Sequence, residues 1–236
     1  MNYEQARFNM IEQQIRPWEV LDSQVLALLA VIKREDFVPT AYRSLAFSDM
    51  EIPLSSNSQK QGGQGQRGQC MLSPKVEARI LQDLALQKHE KVLEIGTGSG
   101  YMAALLAHRG SYVISLEINP DIADTARGNL QRAGIYNAEV RTGDGASGFT
   151  QATSGTDPLK GPFDVIVLSG SVAAVPASLL ALLKIGGRLS AITGNEPVMH
   201  ASLTTRVGEA AWRTTQAWDT VAPRLLNFSE PSRFSF

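Results

Sequence analysis

The ten residues V-L-E-I-G-T-G-S-G-Y at positions 92–101 decide the fold. Val92 to Ile95 read as a buried strand, glycines follow at 96, 98 and 100, and a helical pattern runs from Tyr101 to His108. A strand, a glycine-rich turn and a helix form the opening unit of an open α/β sheet, whose ligands sit at the carboxyl ends of the strands. A phosphate-gripping P-loop places Lys and then Ser or Thr after its last glycine, whereas Tyr101 and Met102 follow Gly100, which argues against a nucleoside triphosphate. The dinucleotide spacing G-x-G-x-x-G also fails, because its third slot falls on Tyr101. What remains is G-x-G-x-G, in which Gly96 and Gly98 let the backbone turn sharply and approach a ligand.

Outward from this corner, helix and strand alternate. A helix is expected over Lys75–Leu86, strands over Tyr112–Glu117, Ala138–Arg141, Phe163–Leu168 and Gly187–Ile192, and helices over Ile122–Ala133 and Val175–Leu183. Strands apolar on both faces and separated by helices predict a mostly parallel sheet covered on both sides. Two further segments, Ala201–Val207 and Ala211–Val221, have the pattern of an antiparallel edge hairpin. Before the sheet lies a helical extension. It has one pattern from Tyr3 to Ile15, stopped by Arg16-Pro17, and a second from Asp22 to about Glu35, in which Val25, Leu28, Leu29 and Ile32 share a face. From Phe37 to about Gln69 the sequence is irregular, and its Gln/Gly/Ser-rich part reads equally as a linker or as a lid. The expected organisation is a helical extension with a substrate-side loop over 1–73 and a ligand-binding domain over 74–236.

Composition narrows the partners. With 22 Lys and Arg against 23 Asp and Glu, no bulk charge favours nucleic acid or an anionic membrane. The single Cys70 leaves no internal disulfide, no Cys/His spacing marks a structural metal, and no uncharged run reaches the length of a membrane span. The expectation is a soluble, cytoplasmic protein without a metal.

Three carboxylates fall at successive strand ends: Glu94, Glu117 and Asp144 of Gly143-Asp144-Gly145. They could merely cap the helices that follow, but three in succession favour a ligand rich in ammonium and hydroxyl groups. Glu117 sits near the interval at which a second-strand acid accepts hydrogen bonds from a ribose diol.

E-I-G-T-G-S-G at 94–100, Glu117 and G-D-G at 143–145 resemble the signature positions of class I S-adenosylmethionine-dependent methyltransferases. F-V-P at 37–39, A-F-S-D-M-E-I-P-L at 46–54, G-Q at 68–69, P-F-D-V-I-V at 162–167 and L-K-I-G-G-R-L at 183–189 narrow the likeness. Together they resemble the protein-L-isoaspartate O-methyltransferase family. The resemblance implies a seven-stranded sheet, S-adenosyl-L-methionine as methyl donor, and isoaspartyl-containing peptides or proteins as substrate. By the same resemblance Glu94 and Gly96 border the methionine part of the cofactor, Glu117 its ribose, Asp144 and Gly145 its adenine, and Ser169 and Gly170 the reactive sulfonium. Thr97, Gly98, Ser99 and Ile118 complete the cofactor set.

A carboxylate acceptor, with a reference pKa of about 3.9, is ionised at neutral pH and needs no general base. The histidine pattern agrees: His89 and His108 fall on the far side of the sheet, and His200 has no companion. The fourth strand ends in L-S-G-S at 168–171 rather than in the Asn/Asp-Pro-Pro-Tyr resembling amino-group methyltransferases.

The resemblance breaks at 68–74. The family's substrate-gripping segment reads Gly-Gln-Thr-Ile-Ser followed by Gln-Pro, whereas this chain reads G-Q-C-M-L-S-P. Cys70 stands for the threonine and Leu72 for the serine, so two hydroxyls are missing. Ser73, one position along, either takes over or caps the helix that opens at Pro74. Cys70 and Ser73 are the candidate catalytic residues. Three readings follow: isoaspartyl methylation, methylation of a small molecule, or cofactor binding without transfer.

Overall fold

A computed structural model describes residues 2–54, 68–147 and 161–230. The lid-or-linker stretch at 55–67 lies outside the described residues. The chain opens with α1 (Tyr3–Met10), which widens into a π turn at Ile11–Ile15 and ends in a 3-10 turn at Arg16–Trp18. The single helix expected over Tyr3–Ile15 is therefore interrupted. α2 (Ser23–Val31) begins where expected, because the Asp22 carboxylate accepts from the backbone N–H of Gln24 and Val25 at 2.8 and 3.2 Å. It stops four residues short of Glu35, where Ile32 turns extended.

Two short strands, β1 (Ile52–Pro53) and β2 (Cys70–Met71), pair antiparallel and lead into α3 (Pro74–Leu84). Then come β3 (Lys91–Ile95), α4 (Tyr101–Arg109), β4 (Tyr112–Glu117), α5 (Pro120–Arg132) and β5 (Ala138–Thr142). β6 (Phe163–Val172), α6 (Ala177–Ala181), β7 (Leu183–Asn195), β8 (Val198–Gly208) and β9 (Ala211–Thr220) finish the chain's regular elements. The main sheet has seven strands in the order β5-β4-β3-β6-β7-β8-β9. The first five run parallel, while β7–β8 and β8–β9 are antiparallel. The expected edge hairpin is present and longer than its sequence pattern.

Alternation along the strands divides the core. Val92, Val113, Val140, Val165 and Ile192 point to the face covered by α3, α4, α5 and the N-terminal helices. Leu93, Ile95, Ile114, Ile166 and Leu189 point to the other, where Leu179 of α6 and Phe228 pack. The extension is welded on by polar contacts as well. Gln82 of α3 accepts from the backbone N–H of Leu21 and Asp22 at 2.7 and 2.9 Å and donates to the Glu19 carbonyl. Arg34, with no exposed surface, donates to the carbonyls of Ala46 and Leu72 at 2.9 and 2.7 Å and lies 3.4 Å from the Glu77 carboxylate. One buried guanidinium thus ties the extension to the segment that precedes α3.

Beyond β9 the chain returns along the end of β6. Ser171 donates its N–H to the Pro223 carbonyl at 2.7 Å, and Leu225 donates to the Ser171 carbonyl at 2.9 Å. β3 pairs with β6 only as far as Ile95 and Leu168, and Ser171 still pairs with Ile192 of β7, so the tail occupies the edge of β6 that lies beyond the end of β3.

Candidate cofactor and acceptor site

The carboxyl ends of β3, β4, β5 and β6 meet the tail around a cavity of about 930 Å³, counting its open mouth. Gly96, Gly98, Glu117, Ile118, Asp144, Gly145, Ser169 and Cys70 all line it. With Gly170, nine of the thirteen residues singled out from sequence therefore converge on one space. Glu94, Thr97 and Ser99 lie one layer behind, and Ser73 lines a separate cleft with Trp18, Lys75 and Val221.

Two glycines are required by close approach. A Cβ on Gly96, whose φ is +91°, would stand 2.8 Å from Cδ2 of Leu225. A Cβ on Gly145 would collide with Cγ2 of Ile95. At both positions a side chain would occupy the space that a ligand needs or displace the wall beside it.

Glu94 is fully buried and accepts from the hydroxyls of Ser115 at 2.6 Å and Ser169 at 2.7 Å. Burial pushes its carboxyl up to about 7 against the pull of those two donors. Ser115 lies directly opposite Glu94 in the β3–β4 ladder, and its hydroxyl also meets that of Thr97 at 2.6 Å. A serine inside the apolar strand Y-V-I-S-L-E was the signal that could have identified it from sequence. Glu117 accepts from the N–H of Gly98 at 3.0 Å and of Asn119 at 3.1 Å, pinning the glycine corner to β4. Burial raises its carboxyl as well, with those backbone donors pulling the other way. Asp144 accepts from the Ala146 N–H and from the Asn227 amide, both at 2.9 Å.

Among the described residues neither Glu94 nor Glu117 caps a helix. α5 is capped by Asn119, whose side chain accepts from the N–H of Asp121 and Ile122, and the residue before α4 is Gly100. Ser73 does occupy the N-cap position of α3, yet its hydroxyl makes no capping bond, since its carbonyl receives the N–H of Val76 and Glu77.

The tail contributes what sequence did not reveal: Arg224, Leu225 and Phe228 form one side of the cavity. A cavity with two rim carboxylates, aliphatic walls from Ile95, Leu116 and Ile122, and glycine on its floor suits an adenosyl amino acid, whose adenine has apolar faces and whose ribose diol and α-ammonium donate hydrogen bonds. Among the described residues no three His, Cys, Asp or Glu side chains cluster as metal ligands. His200 instead meets the Asp219 carboxylate at 2.7 Å on the β8–β9 surface.

The family model for protein-L-isoaspartate(D-aspartate) O-methyltransferase matches residues 5–214. The chain belongs to that family. A protein-L-isoaspartate O-methyltransferase of Methanoculleus marisnigri is 39% identical over 188 residues, which cover 80% of this chain and 77% of the relative. One from Rhodopseudomonas palustris is 34% identical, with 89% and 88% covered. Among solved structures, a candidate protein-L-isoaspartate O-methyltransferase of Plasmodium falciparum, in complex with S-adenosyl-L-homocysteine, superposes with a TM-score of 0.73 at 19% identity and covers 95% of this chain and 98% of its own. That likeness establishes the shared fold. Cys70 and Leu72, at the segment where the resemblance implies two hydroxyls, both line the cavity.

Proposed function

We propose that this protein is an S-adenosyl-L-methionine-dependent carboxyl O-methyltransferase that acts on L-isoaspartyl residues of damaged proteins. Membership of the family supports the activity, and the single observation that carries the site is the convergence of Glu117, Asp144, Ser169 and the glycine corner on one cavity. When bound, the cofactor supplies a methyl group on a positively charged sulfur. Gly96 gives room for its methionine part, Glu117 takes the ribose hydroxyls, and Asp144 and Gly145 take the adenine. Thr97, Ser99 and Glu94 hold that wall from behind, and Ile118 flanks the base.

Transfer is an in-line displacement in which a carboxylate oxygen gives its electron pair to the methyl carbon as the carbon–sulfur bond breaks. No proton moves, so the chain's tasks are alignment and exclusion of water. Cys70 and Leu72 line the acceptor end and Ser169 borders it, so water is displaced there by side chains that compete little for the acceptor's lone pairs. The lone Cys70 fits a reducing compartment, and no helix among the described residues is long and apolar enough to cross a membrane. We therefore assign the reaction to the cytoplasm, with neither nucleic acid nor membrane as partner.

A tritiated methyl donor offered to an isoaspartyl peptide and to its aspartyl counterpart tests the reading. Base-labile label on the isoaspartyl peptide alone is expected. The absence of the two hydroxyls at 70 and 72 favours, as a second reading, a small carboxylate acceptor; cofactor binding without label on either peptide would support it.

A further inference from the structure

The acceptor enters as an anion, yet the rim of the cavity carries Glu117 and Asp144, with Glu94 behind. The sulfonium of the bound cofactor attracts one oxygen of a carboxylate brought there, and a cation of the protein would offset the rim acids and orient the other. Among the described residues lining the cavity, Arg224 is the one with a cationic side chain. Its place is fixed by the return of the tail along β6: the residues on either side of it bond Ser171, two positions beyond Ser169. Its Nη1 lies 3.4 Å from the Ser171 hydroxyl, and its Nη2 donates to the Asn195 side chain. Its Nε holds the Glu230 carboxylate at 3.0 Å, and the Glu230 side chain is 52% exposed. A carboxylate is thus already seated on this guanidinium, and an ion pair with so exposed a partner is weak enough to exchange.

We propose that Arg224 is the acceptor-recognising residue of this chain, and that Glu230 occupies in the resting protein the place that the substrate carboxylate takes. This rests on the isoaspartyl reading above. In an isoaspartyl residue the peptide bond runs through the side chain, which leaves the α-carboxylate free. Arg224 holds one of its oxygens while the other faces the methyl carbon. The fork of a guanidinium replaces, by charge, the orientation that two hydroxyls at 70 and 72 would have given.

The test compares the full-length protein with Arg224→Gln, Arg224→Lys and Glu230→Gln. Three quantities are read: KM and kcat for an isoaspartyl peptide, direct binding of that peptide in the presence of S-adenosyl-L-homocysteine, and cofactor Kd. Arg224→Gln is expected to raise KM and the peptide Kd about tenfold or more, as loss of a charge-assisted contact does. Cofactor Kd should stay within about twofold, and Arg224→Lys should recover part of the loss. Glu230→Gln is expected to lower KM by roughly two- to fivefold, because it removes the resident competitor. A purely structural ion pair would make both partners' variants worse. A rise in KM for Glu230→Gln, or no change for Arg224→Gln, overturns the proposal, and the sign in Glu230→Gln decides it even if Arg224→Gln fails to fold. Wild-type protein that binds cofactor but labels no isoaspartyl peptide overturns the underlying reading, and this proposal with it.

Discussion

Glu94 shows how one side chain connects packing to ligand binding. It is buried beneath the cavity floor, its two oxygens are spoken for by Ser115 and Ser169, and burial leaves it poised near neutrality. A cationic ligand beside Ser169 favours its carboxylate, so cofactor affinity should rise as pH increases through about 7. Glu94→Gln should weaken binding by about tenfold, or ~1.4 kcal/mol, and flatten that pH dependence in calorimetric titrations. Gly145→Ala belongs to the same scale. Its new methyl group meets Cγ2 of Ile95, so the melt should report a loss of about 1–3 kcal/mol, and the loss should be smaller in an Ile95→Ala background, which lacks that carbon. The acids at 94, 117 and 144 were legible because a carboxylate at the end of an apolar strand demands a partner. Ser73 was not: its position before Pro74 marks an N-cap, and its backbone is extended like those of Asp22 and Asn119, yet its hydroxyl makes no capping bond as their side chains do, a difference of side-chain direction that no sequence pattern encodes.

At the scale of elements, the alternation of helix and strand from Pro74 to β7 could be read directly, since each strand is buried on both faces and each helix on one. The interruptions could not. α1 passes into a π turn at Ile11 without any proline or glycine there. α6 keeps only five of the residues expected over Val175–Leu183, because Pro176 stands extended as its N-cap and β7 claims the chain from Leu183 onward. The tail was least legible, because its role arises from pairing with Ser171, more than 50 residues earlier in sequence, and no local pattern encodes such a partner. Its apolar contribution can be tested separately from Arg224. Leu225 stands against both Gly96 and Gly170. Leu225→Ala should therefore raise cofactor Kd several-fold through loss of the wall, at a stability cost of roughly 1–2 kcal/mol for a partly buried leucine, with Kd by calorimetry and stability by urea titration.

For the molecule as a whole, two buried carboxyls set the response to pH. Glu77 and Glu94 are each pushed up to about 7 by burial from an ordinary 4.5, Glu77 despite its contact with Arg34. Between those values the folded chain holds protons that the unfolded chain has released. Stability is therefore greatest below about pH 4.5 as far as these two groups are concerned, and is lost as pH rises through 7. The expected decline is up to a few kcal/mol in total, and it should appear as a lower urea midpoint at pH 7.5 than at pH 5.5. Glu94→Gln should shrink that difference, and an unchanged difference would show that the carboxyl at 94 titrates normally.

The return of the tail along β6 also bears on how the protein responds to proteolysis. Every strand of the sheet is complete by Thr220, yet one side of the cavity is supplied by residues 223–228. A protease that cuts between Thr220 and Pro223 would therefore leave all seven strands of the main sheet in place while detaching one wall of the socket.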